Sequence, residues 1–404
     1  MGQKEVTIGG LLVLASVATT FVYESALVRS VKSFEEGRSV VVSLASPQGL
    51  AKNEDQLIHF SGLITTTASN GMSRWNKIDT DGLPLRQSPF VLDPVFGIAA
   101  KGVRLHRHVE MLQWVETSHT STSSTPEDED RRFDDDRERI YMYDLRWRKE
   151  EIDSSAFNDI SYRNPPSEAW VYKSRVVNAK DLVVGEFSLP DDLVDQIQRR
   201  DGVHLDTASR RVMANLLDQR LGGAWEAGSA LANVTMEDNI FYFRNEMREP
   251  VLGDLRVFFE VTPNYPVTVC AKQNGNELMP FRSSTGESIF LLEDGIMTAD
   301  ELFDKNTHAE VRKNRFFRLF AAVLGFMGFL VLRKPLIERF GPLAAGIQQH
   351  LLAATMSVAL TFSIVGLNWV LYRPLWALVL WFGGWAPPLG LFFFFRSKHD
   401  LKNQ

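Results

Sequence analysis

Residues 316–332, FFRLFAAVLGFMGFLVL, decide what kind of chain this is. Two more apolar runs follow at 351–371 and 374–395, and a fourth opens the chain at 6–28. At ~1.5 Å per residue each is about long enough to cross a ~30 Å hydrocarbon core, although 316–332 needs flanking residues or some tilt. Nearly 290 residues of ordinary soluble composition lie between the first run and the second. The expected fold is therefore an α+β membrane protein with four transmembrane helices, one N-terminal and three C-terminal. A large β-rich domain with helical insertions occupies 29–315, and a short tail occupies 396–404.

The 404-residue chain carries a net charge of −6, and its mean hydropathy of −0.12 conceals apolar segregation at the two ends. Eight acids against three arginines between Glu127 and Glu138 account for most of the charge. The remainder is near neutral, so no basic surface suggests nucleic acid, and lipid or protein partners fit better. The one cysteine, Cys270, rules out an internal disulfide and a cysteine-built zinc site. The first run reads either as a cleaved signal peptide or as a retained span. Its length and the Arg29 and Lys32 that follow favour the span.

Arg333, Lys334 and Arg339 follow the second run, and Arg396, Lys398 and Lys402 follow the fourth, whereas only Arg373 lies between the third and fourth. Positive-inside bias puts the 333–350 loop and the C-terminus in the cytosol and the large domain in the lumen. The domain's own flanks vote the other way, with Arg29, Lys32, Arg38, Arg312, Lys313, Arg315 and Arg318. Long domains translocate largely regardless of charge. Asn233 begins an Asn-Val-Thr sequon, usable only in a lumenal domain.

Within the domain, 103–116 alternates as a long strand, with Val103, Leu105, Arg107, Val109, Met111 and Gln113 on one parity. His106, His108 and Glu110 share the opposite face. That arrangement resembles an open three-ligand metal site, but without an identifiable supporting partner they read as strand-surface residues. Strands are also expected at 39–44, 57–64, 139–148, 240–244, 255–261, 267–271 and 288–292. Residues 117–138 have the composition of a disordered acidic loop. Helical spacing at 191–200 and 208–221 predicts a helical insertion over 191–233. A short helix is expected at 299–303, another at 308–318 running into the second span, and 335–350 as an amphipathic surface segment. No heptad pattern is evident.

In the spans, Ala321, Gly325 and Gly328 put small residues on one helical face, and Ser357, Thr361 and Asn368 form a polar stripe. Both favour helix packing, with a pore lining as the alternative for the stripe. The last three spans are expected to hold no intramembrane acid or base, while Glu24 is expected to reach water at an interface. Arg373, Pro374 and Trp376 read as a membrane anchor at the head of the fourth span. Neither a phosphate-binding Gly-rich loop nor an HExxH helix is present, so no enzyme activity and no cofactor are expected.

HRHVEMLQWVET at 106–117 and YRPLWAL at 372–378 resemble the transmembrane protein 43 family, also called LUMA. Glu36-Gly37-Arg38, Asn164-Pro165, Gly253-Asp254-Leu255-Arg256-Val257, Pro280-Phe281 and 283–292 match in family order. The resemblance implies four spans and a lumenal or perinuclear domain. It also implies residence in the endoplasmic reticulum and inner nuclear membrane, self-association into homo-oligomers, and binding of emerin-like and lamin-like proteins where the organism has them. The acidic insertion at 117–136, the insertion at 201–233 and His106-Arg107 in place of Arg-Arg depart from the family pattern. An organising role in the nuclear envelope is the first expectation. A lipid- or ligand-binding sensor and, further behind, a channel or channel modulator are the alternatives.

Overall fold

The computed structural model describes residues 2–66, 89–120, 139–204, 233–244, 249–340 and 349–402. Its frame is a pair of long antiparallel helices, α1 (Gly2–Val40) and α3 (Ala299–Phe340), with the domain inserted between them. At ~1.5 Å per residue they extend about 58 and 63 Å, roughly twice a bilayer core. The short helix α2 (Asp191–Val194) lies in the domain, and α4 (Gln349–Trp369) and α5 (Pro374–Lys402) complete the bundle. Among the described residues, three segments are long and apolar enough to cross a membrane: Lys4–Val40, Ala299–Leu332 and His350–Trp369.

The outer thirds of α1 and α3 are part of the domain. Leu27, Val28 and Val31 are buried, Phe34 lies 6.2 Å from Phe303, and Gly37 presses against Ile289 and Phe303. Arg38 pairs with Asp300 and Asp304, Arg29 with Glu287 at 3.0 Å, and Glu36 accepts from the Ser284 amide. A capping box starts α3: the Thr298 amide donates to Glu301, and the Glu301 amide to the Thr298 hydroxyl. Because α1 continues through Val40, the strand expected at 39–44 shrinks to Val42–Ser43.

Among the described residues, two seven-stranded sheets enclose the core. In the first, Leu57–Thr66 pairs with Pro266–Asn274, and the strand path returns to that partner through Leu182–Val184, Phe187–Ser188 and Glu277–Met279. The hairpin at 185–186 needs a positive φ at its first turn position, which Gly185 supplies at +63°. In the second sheet the order is Asn233–Glu237, Ile240–Arg244, Leu255–Thr262, Arg104–Thr120 and Arg139–Arg148. The last of these is an edge strand, with Ile140, Met142 and Leu145 exposed. Phe60, Ile58 and Val269 from the first sheet pack with Val109, Phe241 and Val257 from the second.

Several expectations change. The helix predicted over 191–200 stops at Val194, and three-residue turns follow. These bring Leu193, Val194 and Ile197 together in the core and free Gln196, whose side chain donates to the Phe290 carbonyl and accepts from the Leu292 amide. Asp201–Gly202 is a strand paired to Leu255–Thr262, so the described start of the 191–233 insertion is mostly non-helical, and 205–232 lies outside the described residues. The long strand runs on to Thr120, taking in the start of the loop assigned to 117–138; residues 121–138 are not described. The helix expected at 299–303 and the one at 308–318 are a single helix with the second span, continuing to Phe340, and 341–348 is not described.

A Cβ on Gly328 would stand 2.8 Å from Val13 Cγ2 and 3.0 Å from the Gly9 carbonyl oxygen. Gly328→Leu should therefore push α3 off α1 and cost about 1–3 kcal/mol, the usual penalty of overpacking. A lowered thermal midpoint of the full chain in detergent checks this; an unchanged midpoint contradicts it.

Candidate functional site

Gly9, Val13, Ser16 and Glu24 of α1 meet α3, whose residues facing the bundle at this seam are Asn314, Arg318, Ala321, Gly325, Gly328 and Leu332. The α3 set alternates steps of four and three, the spacing of a heptad seam. It escapes an apolar-periodicity search because small and polar residues hold it. In a bilayer, apolar side chains face lipid as readily as protein, so helix seams depend on close approach and hydrogen bonds. Ser16 donates to the Ala321 carbonyl at 2.7 Å and Ser357 to the Ala322 carbonyl at 2.6 Å. At Gly325 the three helices meet: a Cβ there would lie 2.7 Å from Ser357 Oγ and 3.0 Å from Ser16 Oγ.

The seam converges on Glu24, which is fully buried. Arg318 donates to it twice, from Nε at 2.8 Å and Nη2 at 2.6 Å; Asn314 Nδ2 donates at 2.8 Å, and Trp369 Nε1 also donates. One residue on, Ser25 donates to Asn368 Oδ1 at 2.5 Å, and Tyr23 stacks on Phe317 at 3.5 Å. One carboxylate thus ties α1 to α3 and α4. This corrects two expectations. Glu24 does not reach water, and the second span does contain a base, because Arg318 lies within the apolar stretch that Phe316, Leu319 and Phe320 expose. Together the charges form a fork-shaped ion pair with further donors, the arrangement that makes burial of an intramembrane charge tolerable.

The rest of the stripe is spent on helix contacts or on its own helix: Thr361 donates to the Ser357 carbonyl and Asn368 Nδ2 to the Ile364 carbonyl. Arg373 pairs with Glu35 at 2.9 Å and lies over the rings of Trp369 and Tyr372, while Lys32 lies over Tyr372. Pro374 is the first residue of α5, and Trp376 is exposed. Asn233 opens its strand opposite Arg244.

The charged face of the long strand forms a second cluster. His108 Nε2 meets Glu260 at 2.7 Å, and Arg256 holds Glu110 through Nε at 2.6 Å and Nη2 at 2.5 Å. Arg104 pairs with Asp195 and donates to Asn178. His106 is 4% and Glu110 7% exposed, so neither is a surface residue. The segment bearing Asp195 and Arg200 covers this face, with Asp201–Gly202 joining the sheet beside it. Glu110 is committed to Arg256 and His108 to Glu260, and among the described residues no group of three or more metal-ligating side chains occurs.

On the opposite parity, Arg107 forms a second buried ion pair, with Asp93 at 2.9 Å; Asp93 also accepts from the Val95 and Phe96 amides. A cation on the apolar parity was the available signal that a buried acid must answer it. Burial pushes the Cys270 thiol up to about 12, which leaves it a core residue rather than a nucleophile.

These features define a membrane protein with a β-rich domain inserted between two spanning helices. The chain belongs to the transmembrane protein 43 family, whose model matches residues 111–374. Human transmembrane protein 43 is 28% identical over 400 residues, covering 93% of this chain and 87% of the human protein. The mouse protein is also 28% identical, over 396 residues with the same coverage. A Drosophila melanogaster homologue is 25% identical over 311 residues, covering 73% of this chain and 74% of its own. No solved structure matches the chain.

Burial, then the nearby Arg200 and Arg104, lower the His106 pKa from 6.5 to about 4. Unfolded, His106 takes up its proton as pH falls through 6.5; folded, it stays neutral to about pH 4. Its contribution is therefore full above pH 6.5 and lost as pH falls toward 4, by roughly 2–3 kcal/mol. His106→Asn should flatten that acid limb in unfolding curves taken from pH 7 to 4. Superimposable pH profiles of parent and variant contradict this.

Proposed function

We propose that this chain is a non-enzymatic organiser of the endoplasmic reticulum and inner nuclear membrane, acting through self-association and protein partners. In this reading the 29–315 domain is lumenal, and α5 is a fourth span that returns the C-terminus to the cytosol. The observation that carries it is that α1 and α3 pass unbroken from the membrane into the domain. A partner bound to the domain is then held at a fixed height and orientation over the bilayer.

Charge pairing supports the lumenal placement. Arg29, Arg38 and Arg318, whose charges argued for the cytosol, are engaged by Glu287, Asp300, Asp304 and Glu24. The basic residues of 333–350 and the C-terminal tail then keep their weight as cytosolic signals. Support for self-association comes from the Arg139–Arg148 edge, which is unpaired on its outer side among the described residues and exposes Ile140 and Met142. An unprotected edge strand readily accepts another strand.

Protease added to sealed microsomes should leave the domain intact until detergent is present; digestion without detergent contradicts the placement. Crosslinking of the full chain in mild detergent should trap oligomers, and Ile140→Lys with Met142→Lys should shift them toward monomer. A strictly monomeric parent protein contradicts the self-association.

A further inference from the structure

A cleft of about 310 Å³ opens between α3, α4 and α5 on an exposed side of the bundle. Its walls are apolar: Leu319 and Ala322 of α3, Val358 and Phe362 of α4, and Leu380 of α5. Thr361 also lines it, but its hydroxyl is spent on the Ser357 carbonyl, so the cleft receives no hydrogen-bonding demand from it. Two cations line the same cleft. Arg318 is fixed by Glu24, and Arg315 is exposed one turn nearer the domain, beside the first lipid-exposed phenylalanine, Phe316.

An apolar crevice in a bilayer is filled by hydrocarbon, and an arginine at the depth where hydrocarbon gives way to headgroups meets phosphate. The geometry points to a binding site for one anionic glycerophospholipid, with an acyl chain lying along Leu319, Val358 and Phe362 and its phosphate on Arg315. From Arg315 to Ala322 is seven residues, about 10 Å of helix, enough to seat the upper part of one chain. Arg318 borders the mouth but its charge is balanced by Glu24, so the net positive charge of the cleft is that of Arg315. The site would fix a lipid across the joint between the Glu24 clamp and α5, and it requires neither leaflet to be lumenal.

The test uses the full chain purified in dodecyl maltoside and exposed to equal amounts of dioleoyl phosphatidic acid and dioleoyl phosphatidylcholine, with retained lipid counted by native mass spectrometry. One charge-assisted contact predicts a preference of about tenfold for phosphatidic acid. Arg315→Gln should abolish that preference, whereas Lys313→Gln, exposed but outside the cleft, should keep it. Val358→Trp fills the cleft and should lose retained lipid altogether, with its thermal midpoint reporting that the bundle still folds. Equal retention of the two lipids, or a preference that survives Arg315→Gln, overturns the site. So does displacement of the lipid by glycerol 3-phosphate, which would show a phosphate contact without a chain.

Discussion

A carboxylate cannot remain ionised among apolar side chains in a bilayer unless opposite charge and hydrogen-bond donors surround it. Glu24 meets that constraint with Arg318, Asn314 and Trp369, and the rest of the bundle follows from it. Arg318 can reach Glu24 only if α1 and α3 stand antiparallel in one register. That register brings Gly328 against Gly9 and Val13, and Ser16 against the Ala321 carbonyl. Trp369 and Asn368 then fix the end of α4 to the same point, next to Arg373 and its partner Glu35.

The same constraint links membrane and domain. Glu24 and Arg318 are separated in sequence by the whole inserted domain, so the clamp closes only when that domain brings its two ends together. Beyond the clamp, α1 and α3 continue as one face of the domain's smaller core, around Phe303, Ile289 and Leu57. A disturbance at the membrane end is therefore transmitted to the β sheets through packed helix rather than absorbed by a linker, which suits an anchored platform.

What was legible in the sequence was whatever is decided locally. The apolar runs, the 139–148 strand and the alternation from Val103 onward all showed directly. Long-range pairings were not legible. Nothing near Glu24 reveals Arg318, and each alone reads as a residue close to an interface. The α3 half of the helix seam, Ala321, Gly325 and Gly328, showed as a face of small residues, whereas its α1 half was missed because Gly9 and Ser16 carry no hydropathy signal. The helical spacing of Leu193, Val194 and Ile197 was real, but Gln196 is drawn to the edge formed by Phe290 and Leu292, and that tertiary bond overrides helix propensity. His106 and Glu110 looked like surface residues because the segment that covers them arrives from ninety residues away.

The central claim is that the buried Glu24 and the half-buried Arg318 act as a coupled pair, and a double-mutant cycle measures that coupling directly. Glu24→Leu, Arg318→Leu and the combined variant would each be unfolded by SDS titration of the full chain. Arg318→Leu strands the buried Glu24 carboxylate and should cost about 3–5 kcal/mol, Glu24→Leu leaves the partly exposed Arg318 unpaired and should cost less, and the double should cost far less than the sum, since an apolar pair replaces an ionic one. Losses that simply add would mean the two residues are energetically independent, and the register of the bundle would need another cause.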